Sequence, residues 1–497
     1  MMNYINKVAV LLLALILIQS SLSACSAETD SDHSVLDTDK STEMDTISAD
    51  PLPSDLSFEG NSIDFLSRGI SWYDQEILAD ESSAEVVDVA VYKRQLATEE
   101  RLNVVLTETR TGTDDWHGPL GTLEPIILAG DDIYEVAASS MRGIMKATVM
   151  EGYFHKISNL PYIDLTKSYW SQSFAEASSI GNTQYAVTGS LSLTLHKMVW
   201  LTYFNSTLVD QYIDDDLYQI VRDGKWTLDK LQAYTQDVYV DTNGDGVRDA
   251  EDTYGLVMTL QNTPDAFYSS CDIKLAAKDK DDIPYLDVNL EKTVSVVEKL
   301  NALMWESNGA MGFNLSDAYP ESASSYVYAN QFTNGTAMFF MARALVAEDA
   351  PYREMEDSYG LLPYPKYDEA QKTYKSYAHD PFTVFVIPGT SGSADCTAAV
   401  LEYMAYESEK NVIPAYYDVA LSTKYIHDLA SREMLDIAFD DITMNPAQIY
   451  LNVIGELPSK ILTFQIWKNT DTVSSEYEAN IDAAKNNLNA FIDQIYS

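Results

Sequence analysis

Basic residues are scarce. The chain has 32 Lys and Arg against 76 Asp and Glu, a formal net charge of −44. Phosphate binding needs a basic face, so nucleic acid is excluded as a partner. The acidity fits solubility and cation binding instead. Histidine is also sparse, at six, and cysteine at three, with no paired-cysteine or HExxH spacing. A zinc site is therefore not expected. Past residue 25 no apolar run reaches membrane length. No phosphate-cradling GxxxxGK[ST] loop occurs, so the chain is not an ATP-driven motor.

What is present begins at the N-terminus. Lys7 precedes an apolar run from Val8 to Ile18, which is the plan of a secretory signal and too short for a span. Leu22-Ser23-Ala24-Cys25 closes it and resembles the lipobox of bacterial lipoproteins. That resemblance implies removal of residues 1–24, acylation of Cys25 and a lipid-anchored chain on the extracellular face of the cell membrane, of Gram-positive type. Residues 25–54 are rich in Ser, Thr and Asp and have no aromatic residue. Such a segment buries too little apolar surface to offset its ordering entropy, so a disordered tether is expected. As a coil it spans roughly 30 Å.

The body, from residue 55 on, is long enough for two or three lobes. Its first part alternates strand and helix. Arg68 to Trp72 reads as a strand, Val87 to Arg101 as a helix and Asn103 to Glu108 as a strand. Pro119 to Ala129 reads as a helix closed by Gly130, and Ile133 to Ala138 as a buried strand. This order implies parallel sheet with crossover helices, and ligands then lie beyond the strands' carboxyl ends. Further strands are expected at 184–187, 198–204, 254–258, 336–341 and 382–387, with 359–365 a short strand running into a proline-stiffened crossing. Thr227 fits an N-cap for a helix running to about Val240. At the C-terminus, Ser475 and Glu478 fit a capping box ahead of an apolar face through Ile481, Leu488 and Ile495.

Cys271 and Cys396 admit one bridge or two free thiols by spacing. The helical setting of Cys396 and the loop-to-strand setting of Cys271 favour free and buried.

The sharpest local motif is a twelve-residue loop. Asp241, Asn243, Asp245, Asp249 and Asp252 occupy positions 1, 3, 5, 9 and 12, with Gly246 at 6 and the Val247 carbonyl at 7. This register supplies oxygens to a calcium ion around a glycine turn. Position 12 is Asp rather than Glu, and a strand follows where a second helix would stand. A single structural calcium loop is expected, not a paired sensor.

Several fragments together carry a resemblance. They are Ala129-Gly130-Asp131-Asp132 with Tyr134, and Gly224-Lys225-Trp226-Thr227 ahead of Tyr254-Gly255-Leu256. Next come Phe332, Asn334-Gly335, Ala337 and Phe339. Tyr359-Gly360, Leu362-Pro363 and Pro365-Lys366-Tyr367-Asp368-Glu369 with Gln371 follow. Pro414 with Tyr416-Tyr417 and Ser431 with Glu433-Met434-Leu435-Asp436 complete the order. The chain resembles an extracellular solute-binding lipoprotein of ABC transporters, family 1, the carbohydrate-associated branch. The resemblance implies an α/β, two-lobed, periplasmic-binding-protein-like (type II) fold with a hinge and a central cleft. It further implies a non-enzymatic monomer that delivers a carbohydrate to membrane permease subunits. The first lobe is expected at 55–165 and 325–380, the second at 166–324 and 381–497.

Sugars present apolar C–H faces and rings of hydroxyls, so aromatic platforms beside planar polar groups are the candidates. By position these are Trp72, Trp116, Asp265, Tyr268, Trp305, Arg343, Tyr377, His379 and Asp380. The alternatives are a calcium-stabilised surface adhesin, a ligand sensor, and a glycoside hydrolase, which would need two carboxylates flanking a bond.

Overall fold

The computed structural model describes residues 49–112, 118–314, 327–417 and 429–496. Cys25 and Trp116 lie outside the described residues. The strands in chain order are β1 (Asn61–Ser67), β2 (Val104–Arg110), β3 (Val136–Ser140), β4 (Ala186–Val187) and β5 (Trp200–Asn205). There follow β6 (Tyr239–Val240), β7 (Thr253–Thr259), β8 (Ala276–Lys278), β9 (Pro284–Leu286) and β10 (Ala310–Phe313). The last are β11 (Ala337–Arg343), β12 (Tyr359–Leu362) and β13 (Thr383–Val386).

Two principal sheets result. The first has the order β2-β1-β3-β13-β4, and the second β10-β7-β11-β5-β12, with β6 beside β7. In the first, β1 runs parallel to β2 and β3, while β13 is antiparallel to β3 and β4. In the second, β7, β10 and β11 are mutually parallel, and β5 and β12 complete it antiparallel.

Alternation fixes which side chains face which layer. Ile63, Phe65, Val136, Ala138 and Phe385 face a core shared with Val400 and Met404 of the helix Ala394–Glu407. Leu66, Ala137, Val384 and Val386 face the larger core on the other side. Central β11 is buried at all seven positions and reads as a continuous apolar run, as a strand covered on both faces must.

The lobe boundaries need correction. β11 and β12 belong to the second sheet, so 325–380 does not join the first lobe. β4 and β13 belong to the first sheet, so neither 166–187 nor 383–386 joins the second. The helix Ala394–Glu407 packs on Val86–Leu102, also on the first side. The final helix, Val473–Tyr496, packs against Leu290–Asn301 of the second.

The chain therefore crosses between the two sides at 188–199, again at 363–382, and a third time between Glu407 and the final helix. The crossings lie side by side. Val199 bridges Ala378, and Ser376 bridges Ile442. The Trp200 amide donates to the Tyr377 carbonyl at 3.1 Å, and the His379 amide to Met198 at 2.9 Å. This ribbon stands where the resemblance implies the hinge between the lobes.

Three local expectations also change. The first strand is Asn61–Ser67, and Arg68 to Trp72 is loop followed by a short 3-10 turn. The helix capped by Thr227 stops at Thr235, because Tyr239–Val240 pairs with β7 as β6. The last helix begins at Val473, where the Thr472 carbonyl accepts from the Glu476 amide at 2.9 Å, so Ser475 lies inside it.

Candidate functional site

The carboxyl ends of the parallel strands in both sheets carry charged residues. Arg68 follows β1, Arg142 stands two residues beyond β3, Arg343 ends β11, and Asp265 lies past β7. In open α/β sheets this edge is where ligands sit.

Arg142 is placed by its backbone. Ser140 Oγ accepts from the Gly143 amide at 2.9 Å and starts a short helix. The Met141 and Arg142 amides donate to the Phe382 and Asp380 carbonyls. Arg142 Nη1 then reaches Asp380 Oδ2 at 3.0 Å, and Nη2 reaches Glu456 Oε1 at 2.5 Å. Glu456 itself holds a left-handed φ of 58°, which costs a non-glycine residue about 1 kcal/mol.

Asp265 faces the same group. Burial, together with the negative charges of Asp380 and Glu456, pushes its carboxyl up to about 7, against a hydrogen bond from Thr463 Oγ1 and the charge of Arg142. His379 Nε2 lies 3.6 Å from Asp380 Oδ1, and burial holds its imidazole down at about 4, so it is neutral at neutral pH. Tyr377 is buried within range of these charges.

An aromatic–guanidinium stack adjoins them. The Arg343 guanidinium sits 4.6 Å from the ring centre of half-buried Trp72 and 5.9 Å from that of Trp200. The Trp200 and His379 rings are 5.5 Å apart. Trp200 Nε1 and His379 Nδ1 are both buried without a hydrogen-bond partner.

Behind the stack lies a fully bonded network that fixes the crossing strand. Arg68 donates to the Pro381 carbonyl at 2.6 Å and to Thr383 Oγ1 at 2.5 Å, with its guanidinium 3.4 Å from the Tyr73 ring centre. Glu76 accepts from the Thr194 amide and hydroxyl and from Thr383 Oγ1, at 2.6–2.7 Å.

The structure thus gathers Trp72 and Arg343 with His379, and Asp265 with Tyr377 and Asp380. It does not gather the rest. Trp305 donates Nε1 to the Ile466 carbonyl at 2.7 Å and stays 43% exposed elsewhere. Tyr268 donates to the Pro458 carbonyl at 2.6 Å and is buried as packing. Arg142, Glu456, Arg68, Glu76 and Trp200 are additions that sequence reasoning missed. A charge directly after an apolar strand is the signal that marked Arg343, and it applies equally to Arg68 and Arg142. Glu456 has no local signal.

In the loop 241–252, Asp241 accepts from the Gly244 and Gly246 amides at 2.8 and 3.0 Å, and Asp245 Oδ1 from Val247 at 2.7 Å. Gly246 has φ 72°, a turn only glycine makes without strain. Asp252 is buried. Burial acts to raise its carboxyl, but hydrogen bonds from Tyr239 Oη, Thr242 N and Asp249 N outweigh this and hold it below the usual range. Arg248 ties the loop to the Asn308 carbonyl at 3.0 Å. The donor set is all oxygen and suits calcium. Among the described residues, however, no three His, Cys, Asp or Glu side chains converge in a metal-holding group. Cys271 and Cys396 are both free and buried.

No protein-family profile matches the chain, and no curated protein matches it. Solved structures do. A cyclo/maltodextrin-binding protein complexed with maltotetraose superposes with a TM-score of 0.53 at 12% identity, covering 88% of this chain and 98% of that one. The extracellular solute-binding protein from Staphylococcus aureus in complex with maltose gives 0.53 at 13%, covering 89% and 100%. UgpB from Mycobacterium tuberculosis in complex with glycerophosphocholine gives 0.52 at 14%, covering 88% and 100%. The fold is therefore the two-lobed α/β fold of the periplasmic-binding-protein type, as the sequence resemblance implied.

Proposed function

We propose that the chain is an extracellular solute-binding protein that captures a carbohydrate between its two sheets and delivers it to an ABC import permease. The observation that carries this reading is the Trp72–Arg343–Trp200–His379 stack at the strand carboxyl ends, on the fold of proteins solved with maltose and maltotetraose. An aromatic platform beside a guanidinium takes a sugar's C–H face and hydroxyls together. The two unpartnered ring nitrogens want hydroxyl partners. The nearby carboxylates are committed, Asp380 to Arg142 and Asp265 to Thr463, which suits holding more than bond cleavage. Lobes joined by a narrow ribbon close over such a ligand.

In the same proposal, Cys25 carries the lipid anchor, the tether holds a monomeric body off the extracellular face of the membrane, and permease subunits receive the loaded body. No described helix is long and apolar enough to cross a membrane. A calcium ion would be held by Asp241, Asn243, Asp245, the Val247 carbonyl, Asp249 and Asp252, and would stiffen the entry to β7. The test is tryptophan fluorescence of residues 26–497 titrated with maltose and maltotetraose, beside Trp72→Ala. Saturable quenching lost in the variant supports the reading. Titrations that leave the emission unchanged for every sugar offered count against it.

A further inference from the structure

A cavity of about 370 Å³ opens beside the hinge ribbon. Its walls include Ser269, Asp272, Lys274, Lys375, Asn445 and Gln448, and none of the charged side chains of the cleft cluster. Gln448 is only 7% exposed, yet its side-chain amide makes no hydrogen bond and its Nε2 is buried without a partner. A buried amide N–H in that state needs an acceptor, which the protein does not supply.

The remaining wall is rich in donors. Lys375 Nζ pairs with Asp272 Oδ1 at 2.8 Å, and Lys274 pairs with Asp287. An ammonium has three N–H directions, so each lysine keeps others to offer. The charged side chains of the wall are Asp272, Lys274 and Lys375, so ammoniums outnumber carboxylates there, whereas the whole chain has 32 basic residues against 76 acidic ones. Surplus donors around a cavity of metabolite size call for an acceptor-rich anion.

We propose that this cavity is a second binding site, for a small molecule bearing a carboxylate or phosphate oxyanion. The anion accepts from Gln448 Nε2 and from the Lys274 and Lys375 ammoniums. The site shares no charged side chain with the Asp265–Arg142–Asp380 group and does not depend on the carbohydrate reading. Lys375 directly precedes the hinge residue Ser376, and Asn445 and Gln448 follow its neighbour Thr443, whose amide donates to the Ser376 carbonyl at 2.9 Å. The occupant would therefore clasp the segments on which the lobes turn.

The test is calorimetric titration of residues 26–497 with acetate, succinate and inorganic phosphate, at constant ionic strength. Saturable binding of at least one probe is expected, weakened at least tenfold by Lys375→Met and by Gln448→Leu. Saturation by phosphate alone or by carboxylates alone supports the site and identifies the oxyanion. Should either variant lose its melting transition, Lys274→Met, at a half-exposed position, carries the same expectation. Absence of saturable binding for all three probes, or binding that survives unchanged in the folded variants, overturns the proposal.

Discussion

Arg142 and Asp380 lie 238 positions apart in the chain and meet as an ion pair at 3.0 Å. One belongs to the first sheet's edge, the other to the ribbon between the sheets. The pair joins a lobe to its hinge, and Glu456, from the C-terminal segment, completes it.

Removing one partner should therefore be felt. Asp380→Asn leaves the Arg142 guanidinium without its better-buried carboxylate. A loss of roughly 2 kcal/mol is expected, since charge-assisted bonds of this kind fall in that range. Denaturant midpoints of the two proteins measure it. An unchanged midpoint would mean that Glu456 alone satisfies Arg142.

Asp265 sets a pH dependence of known sign. Its carboxyl titrates at about 7 in the folded chain and near 3.9 when unfolded. Between those values the folded state holds the extra proton, so stability falls as pH rises from 4 to 7. Asp265→Asn should remove that fall, gaining on the wild type through this window and levelling above it. His196 and His379 act oppositely. Both are held at about 4 by burial, so their stabilising contribution, complete above pH 6.5, is lost as pH drops towards 4. Melting temperatures of wild type, Asp265→Asn and His379→Gln from pH 4 to 8 separate the two slopes.

The thiols should be silent in the native state. Burial pushes both Cys271 and Cys396 up to about 12, so almost no thiolate exists at pH 8. In residues 26–497, a thiol reagent should label neither cysteine until denaturant is added, and then both. Rapid native labelling would mean that one of the cores opens readily.

Asp241→Ala tests the calcium loop. The variant should lose the rise in melting temperature that calcium gives wild type over chelator, beyond the smaller loss from its missing bonds to the Gly244 and Gly246 amides, with solute affinity nearly unchanged. Loss of solute binding with unchanged stability would move the ion, if bound, into the cleft.

Much of the secondary structure was legible because it is locally encoded. Thr227 caps its helix as read, its hydroxyl accepting from the Lys230 amide, and Gly130 closes another in the left-handed conformation. The errors have tertiary causes. Ile70 and Trp72 look like strand residues, but Arg68 leaves the strand direction to bind the Pro381 carbonyl and Thr383. The segment before Val240 is helical by pattern and becomes an edge strand only because β7 is there to pair with it. The lobe exchange has the same origin, since β13 finds its partner in β3, far earlier in the chain. Trp72 and Arg343 were recognisable as candidates, but their stacking joins two sheets and no local pattern records it. Glu456 is invisible for the same reason.

The most direct test is a melting-temperature screen of residues 26–497 against mono- and oligosaccharides, for wild type and Trp72→Ala. A solute at a hundred times its dissociation constant adds roughly 2.7 kcal/mol, a rise of a few degrees. The account predicts that one class of sugar raises the wild-type melting temperature and leaves Trp72→Ala, still folded, unmoved. No rise with any sugar, or an equal rise in both proteins, would contradict capture of a carbohydrate at this stack.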